Sequence, residues 1–224
     1  MFVISGPSGT GKGAICAGIV ASEKVAISVS MTTRGPRPHE IDGKNYYFVD
    51  KEYFGEALAE GGFFEYAEIY GEYYGTPKKP VLEMLEKGTD VILEIDVKGA
   101  KQIKENMPEA ILVFIIPPSA EELRRRIEGR GTETAERIAR RLERSDSEIA
   151  QVGNYDYCVV NDDLEKAIRD VSFIIRAERY YANDSEKLYE DDLFMMDVLR
   201  RAEELKVGDD REKIIKRYNE GSKE

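Results

Sequence analysis

Seven residues near the start of the chain, Gly6-Pro7-Ser8-Gly9-Thr10-Gly11-Lys12, have the types and spacing to hold a phosphate group. Glycines let successive backbone N–H groups converge on phosphate oxygens, the helix that follows presents its positive end, and a lysine adds a mobile point charge. The pattern G-x-x-x-x-G-K-[S/T] is matched through Lys12 and then broken, because Gly13 and Ala14 stand where a hydroxyl is expected. The plainer reading is a glycine-rich turn between strand and helix with a solvated lysine. The apolar run Phe2-Val3-Ile4 leading directly into the turn favours the phosphate loop. Gly6 through Gly13 are therefore the candidate ligands of a nucleotide phosphate, with Lys12 nearest the chemistry.

Two further groups of charged residues invite a chemical reading. Glu94 and Asp96 end the apolar run Val91–Ile95. In an open parallel sheet, ligands sit outside the carboxyl ends of the strands, where a carboxylate can hold Mg²⁺ through water or accept hydrogen bonds from a substrate. The alternative is two solvated acids opening a helix. The second group is a run of eight arginines between Arg124 and Arg144. Guanidiniums neutralise the charge that spreads over a transferred phosphoryl group. Interleaved acids such as Glu121, Glu128 and Glu136 also fit a solvated helix face, and Arg124, Arg125 and Arg144 are assigned to that face.

The elements that must position these residues alternate short apolar runs with amphipathic stretches, which reads as α/β with a mostly parallel sheet. Core strands are expected at 2–5, 25–29, 91–95, 111–116 and 157–160. Ser119 with Glu122 forms a capping box, Gly129 ends that helix, and Asp162 with Glu165 is expected to cap another. Residues 31–76 break the rhythm: turn signals separate tyrosine-rich runs around one helical pattern from Asp50 to Glu60, the mark of a small, mainly β insertion. Beyond Ala182 the chain is polar and acidic, with a helical pattern from Tyr189 to Leu205.

The whole has 224 residues, 42% hydrophobic and 34% charged, enough for one domain with inserted lobes. A net charge of −11 argues against general nucleic-acid binding. Cys16 and Cys158 are too few for a disulfide framework and lack metal-ligand spacing. A strand beginning at the second residue leaves no room for a signal peptide, and no apolar run approaches the ~20 residues of a membrane span. The expectation is a cytoplasmic protein with no membrane or nucleic-acid partner.

The stretch Ser28-Val-Ser30-Met-Thr-Thr-Arg34-Gly-Pro-Arg37-Pro resembles the corresponding segment of guanylate kinases, which phosphorylate GMP with ATP. Gly43-Lys-Asn-Tyr46, Phe64-Glu65, Tyr73-Tyr74-Gly75-Thr76, Leu93-Glu94-Ile-Asp96, Glu128-Gly-Arg130-Gly-Thr-Glu133 and Val160-Asn161-Asp162-Asp163 follow in the same order as in that family. The resemblance runs from residue 1 to about residue 180. It implies a P-loop NTPase-type core with a five-stranded sheet (1–30, 77–120 and 143–182), a GMP-binding lobe (31–76) and a helical lid (121–142); beyond it, the chain's own pattern is read as a C-terminal helical extension (183–224).

It also implies roles. Arg34, Arg37, Tyr46 and Tyr74 would hold the acceptor phosphate, as suits guanidinium forks and phenolic donors. Ser30, Glu65, Thr76 and Asp96 would read the base, with Glu94 beside them. Glu65 can accept from guanine's N1–H and N2 amino group together, whereas adenine would face it with an acceptor. Arg126, Arg130 and Arg141 would clamp the ATP phosphates as catalytic residues with Lys12, and Asn161 would flank the adenine. Mg²⁺ would accompany ATP with no direct side-chain ligand, Asp96 acting through water. Tyr47, Tyr66 and Tyr73 are expected to pack in the lobe, and His39 to lie on the surface. Closure of lobe and lid would exclude water. Two rivals stand beside this reading: a catalytically impaired guanylate-kinase-like binding module, and a P-loop kinase for another acceptor. Lys12, Arg126, Arg130 and Arg141 speak against the first, Glu65 and Ser30 against the second.

Overall fold

The computed structural model describes residues 1–69, 71–129, 135–182 and 193–221. The chain divides into two compact units, Met1–Val3 with Lys24–Ala110, and Ile4–Glu23 with Ile111–Glu224. The fold class is the expected α/β. Its five-stranded sheet has the hydrogen-bonding order β2 (Val25–Ile27), β7 (Asp90–Glu94), β1 (Phe2–Ser5), β8 (Ile111–Ile116), β9 (Tyr157–Val160). Strands β2 and β7 pair in parallel, as do β8 and β9. Strand β1 is buried at every position and β8 at all but its first. A strand covered on both faces needs such a continuous apolar run, which is why the sequence shows no alternation there.

The first unit also holds a four-stranded sheet of order β4 (Tyr47–Phe48), β3 (Met31–Thr32), β6 (Glu72–Pro77), β5 (Phe63–Ile69). Helix α2 (Lys51–Ala59) starts where Asp50 accepts a hydrogen bond from the Tyr53 amide, a cap worth about 1 kcal/mol. Its Phe54 stacks on Phe63 at 4.4 Å and on Tyr73 at 5.5 Å between ring centroids. Met31 and Tyr47 complete this small core, so Tyr47 and Tyr73 pack as expected. Tyr66 does not: it is 43% exposed, because it points away from that core along β5. Strand β2 is also shorter than foreseen. The Ser28 amide still bonds the Ile92 carbonyl, but the Ser30 carbonyl already accepts from Tyr47, so the chain leaves one sheet for the other within two residues. Helices α3 (Lys78–Glu86) and α4 (Val97–Asn106) complete the unit, and α4 is capped by Asp96, which accepts from the Gly99 amide at 2.9 Å.

In the second unit α1 (Lys12–Ser22) follows the glycine-rich loop. Helix α5 (Ala120–Glu128) is capped by Ser119, which accepts from the Glu122 amide, and ends at Gly129 as its sequence signals require. Helix α6 (Ala135–Ile149) follows. The cap of α7 (Leu164–Ala182) is Asp163, which accepts from the Lys166 amide; the expected Asp162 instead pairs with the Lys166 ammonium. The apolar stripe of α7 buries Ala167, Val171, Ile174 and Ile175. Helix α8 (Leu193–Glu204) covers the later part of the expected 189–205 helix, and residues 189–192 lie outside the described residues. Past α8, Lys206 bridges Tyr157 of β9 antiparallel, with Cys158 donating to the Leu205 carbonyl and Val207 donating to that of Asp156. Helix α9 (Arg211–Glu220) lies in the helical extension expected at 183–224, beyond the one helical pattern read there, and is anchored by the buried Tyr218. No helix among the described residues is long and apolar enough to cross a membrane.

Candidate nucleotide sites

The phosphate loop belongs to the second unit. Gly6 and Gly11 have φ angles of 135° and 89°, which side chains rarely adopt, and each also lacks room for one. A Cβ on Gly6 would meet the Ile115 carbonyl oxygen at 2.2 Å, and one on Gly11 the Asn161 side chain at 2.5 Å. These constraints hold the loop close to β8 and β9, so that its amides and the first turn of α1 point at one place. The Lys12 ammonium donates to the Gly6 and Pro7 carbonyls at 2.7 and 2.9 Å, curling over the loop that it opens from. Thr10 is fully buried and donates its hydroxyl to Pro7. Gly13 and Ala14 are exposed at the start of α1.

Three expected partners gather at this loop. Asn161 is buried and donates its amide to the Thr10 carbonyl at 2.7 Å. Arg141 of α6 donates to the Ser8 hydroxyl at 2.5 Å. Arg126 of α5 donates to the Asn161 carbonyl at 2.9 Å and to Glu122 at 2.7 Å. Glu122 receives Arg125 as well, and these two guanidiniums hold its carboxyl down at about 2. Arg130 lies outside the described residues. Arg124, Arg125 and Arg144 pair with Glu128, Glu122 and Glu148 along their own helices, the solvated-face arrangement expected of them.

The lobe residues belong to the first unit and form two clusters. In one, Arg34 grips Glu40 with both terminal nitrogens, at 2.8 and 2.9 Å. The Arg37 amide donates to the same carboxylate at 2.8 Å, and the two contacts hold Glu40 down at about 2. The Arg34 guanidinium lies 5.4 Å from the Tyr46 ring centroid and hydrogen-bonds the Tyr74 side chain; the two tyrosine rings meet edge-on at 6.1 Å. Burial raises the Tyr46 phenol, with the nearby Glu94 adding to it. One donor is left over: the Arg34 Nε is buried with no hydrogen-bond partner, an unusual and costly state. The Arg37 side chain is exposed beside it, as is His39.

In the other cluster, Glu65 of β5 is 6% exposed and its Oε1 accepts the hydroxyl proton of the fully buried Thr76 at 2.7 Å. Burial pushes the Glu65 carboxyl up to about 7, the charge of Asp96 pushes the same way, and the Thr76 hydrogen bond opposes them. A Cβ on Gly99 would lie 2.6 Å from Glu65 Oε2, so α4 leaves a gap filled by that carboxylate. Ser30 stands half-buried at the strand exchange described above.

These clusters can be set against known proteins. The sequence profile described as guanylate kinase matches residues 1–178. The guanylate kinase of Clostridium tetani is 53% identical over 179 residues, which is 80% of this chain and 86% of that protein. The chain belongs to the guanylate kinase family. The guanylate kinase of Caldanaerobacter subterraneus subsp. tengcongensis is 48% identical over 190 residues, covering 84% and 92% of the two chains. A crystal structure of guanylate kinase from Anaplasma phagocytophilum superimposes with a TM-score of 0.66 at 37% identity, over 80% of this chain and 85% of that one.

For a guanylate kinase fold, sequence reasoning missed two residues. Glu40 occupies the Arg34 fork, and its only signal was an acid three residues after Arg37 in a turn. Gly99 shapes the space around Glu65, a role that a lone glycine in a helix start announces only as a helix-propensity defect.

Proposed function

We propose that the chain is an ATP:GMP phosphotransferase, making GDP and ADP from GMP (and dGMP) and ATP. The observation that carries this reading is Glu65, a buried carboxylate fixed by Thr76, with Asp96 in the same cluster. Ionised, it accepts two parallel N–H bonds from guanine and repels the ring nitrogen that adenine offers instead. Arg34, Arg37, Tyr46 and Tyr74 hold the acceptor phosphate, and the unpartnered Arg34 Nε supports an anion there. Ser30 and Glu94 line the acceptor.

On the donor side, the amides of Gly6 to Gly13 and Lys12 hold the ATP phosphates, Asn161 flanks the adenine, and Arg126, Arg130 and Arg141 neutralise the charge of transfer. A phosphate oxygen of GMP forms the new bond to the γ-phosphorus. The bond from that phosphorus to the bridging oxygen breaks, and ADP departs with the electron pair. No covalent intermediate on the protein is involved; positioning and charge neutralisation carry the rate.

Mg²⁺ is the proposed cofactor. Positions 13 and 14 carry no hydroxyl, so no side chain directly after Lys12 can ligate a metal. Among the described residues no group of three or more His, Cys, Asp or Glu is arranged to hold one. This suits Mg²⁺, which keeps most of its waters and takes its other ligands from phosphate oxygens. Asp96 would anchor one such water, and the ion would neutralise charge on the transferred group. Free nucleotides as substrates fit the cytoplasmic location expected from the sequence. The binding-module alternative is favoured by no observation. A coupled assay with ATP and, in turn, GMP, dGMP, AMP, UMP and dTMP tests the proposal: turnover confined to the two guanine acceptors is expected, and equal turnover of AMP refutes it.

A further inference from the structure

The C-terminal helices border an open cavity of about 540 Å³, a volume typical of small-molecule sites. Its walls come from the end of β8, from β9, and from α7, α8 and α9, all within the second unit. Neither the phosphate loop nor Asn161, Arg126 or Arg141 is among its lining residues. Its lining from Arg201 onward lies beyond residue 178, where the family match ends. The cavity is therefore built jointly by the matched region, from Ile116 to Phe173, and by the chain beyond it.

The lining has the chemistry of an anion site with an apolar wall. Pro117, Phe173 and Ile214 supply the wall. In a chain of net charge −11, five basic and three acidic side chains line this one place, and Lys166, Arg201 and Lys206 among the bases are paired with Asp162, Asp170 and Glu203. The acids are already engaged: Asp170 takes Arg201 bidentately at 2.8 and 2.7 Å, Glu204 takes Arg201 at 2.9 Å, and Asp210 takes Lys213 at 2.5 Å. Arg169 and Arg217 are exposed and form no ion pair or hydrogen bond among the described residues. Tyr218 is 3% exposed, and its hydroxyl makes no hydrogen bond among the described residues. Burial and the nearby Asp146 push that phenol up to about 12, so it remains a donor at neutral pH.

We propose that this cavity is a second, non-catalytic site for a small organic phosphate with a flat apolar body, the chemistry of a nucleotide. The ring packs on Phe173 and Pro117, and Arg169, Arg217 and the Tyr218 hydroxyl take the phosphate, two planar forks and one neutral donor suiting its oxygens.

Amide hydrogen exchange on the full chain, read at residues 164–173 and 211–218, tests this with GTP, ATP, pyrophosphate and guanosine as separate probes. GTP or ATP should slow exchange in both segments, and the response of each says whether the base is guanine or adenine. Arg169→Glu/Arg217→Glu should weaken that protection at least about tenfold in concentration, since each charge-assisted bond is worth more than 1 kcal/mol. Its kcat/KM for GMP should match the parent, because neither arginine belongs to the nucleotide sites. Should the charge reversal impair folding, Arg169→Gln/Arg217→Gln provides the same test more gently. Protection that persists in these variants, or that neither nucleotide produces, overturns the proposal. Equal protection by pyrophosphate makes it a bare anion site, and equal protection by guanosine an apolar cavity; either result also overturns it. The readout is binding, so it stands or falls separately from GMP phosphorylation.

Discussion

Lowering the pH from 8 to 6 should weaken guanine recognition about tenfold through one buried carboxylate. Glu65 must be ionised to accept from guanine, and burial places its carboxyl at about 7 in the unliganded protein. The ionised fraction then falls from about nine-tenths at pH 8 to about one-tenth at pH 6, equivalent to ~1.4 kcal/mol of binding. The GMP phosphate titrates near pH 6 as well, as phosphate monoesters do, so the cleaner ligand is guanosine, which has the base and no phosphate. Its inhibition constant against GMP should rise about tenfold over that interval, while the KM for ATP stays level. Glu65→Gln should flatten the profile. A guanosine constant that does not change between pH 6 and 8 refutes the assignment of the base site. The same shift acts on stability with a definite sign. Between pH 4.5 and about 7 the unfolded chain has released a proton that folded Glu65 keeps, so the unliganded protein loses about 3 kcal/mol as pH rises through that window. Thermal melts with and without guanosine should diverge most at the alkaline end.

Three further outcomes are expected. Gly99→Ala puts a methyl 2.6 Å from the Glu65 carboxylate; it should raise the KM for GMP with little effect on that for ATP, at a cost of about 1–3 kcal/mol, and Glu65→Asp in the same chain should recover part of the loss by withdrawing one methylene. Arg130→Met should lower kcat more than it weakens ground-state binding, by about 100-fold or more, whereas Arg144→Met, which loses a pair with Glu148 along its own helix, should leave the kinetics normal; like behaviour of the two in steady-state assays counts against the lid assignment. Titration of Mg²⁺ at saturating ATP and GMP should give activity in the parent chain and a lower half-saturating Mg²⁺ concentration in Gly13→Ser; activity only in Gly13→Ser would mean that the missing hydroxyl disables the reaction.

Local rules made the core legible. Phe2–Ser5, Ile111–Ile116 and Tyr157–Val160 are continuous apolar runs between turn signals, and Ser119 to Gly129 begins and ends where capping chemistry dictates. What stayed hidden depends on partners distant in sequence. The chain leaves β2 after Ile27 because Tyr47 claims the Ser30 carbonyl, and nothing local to 25–29 announces that. Tyr66 and Tyr73 look alike in sequence, yet Phe54 stacks on only one of them. The site divides the same way. Residue types at Arg34, Tyr46 and Glu65 suggested anion and guanine chemistry, whereas the occupation of the Arg34 fork by Glu40 and the gap at Gly99 are products of packing. Helix α9 shows in the sequence only as part of a helical extension without bounds of its own, because its ten residues bury a single side chain and leave little periodicity to read.

The short antiparallel contact between Lys206 and Tyr157 bears on how this protein behaves in solution. Strand β9 is the last in its sheet, and a terminal strand offers unsatisfied amides and carbonyls to any other extended chain. Here Cys158 and Asp156 direct theirs to Leu205 and Val207 of the same molecule. A chain cut after Ala182 would retain the phosphate loop, Glu65 and the Arg34 cluster while baring that edge, along with Asp170 and Phe173 of α7, which meet Arg201 and Phe194 of α8. Its first failing would then be self-association and poor solubility rather than lost chemistry. The final forty residues thus act as a built-in guard against sheet-to-sheet pairing.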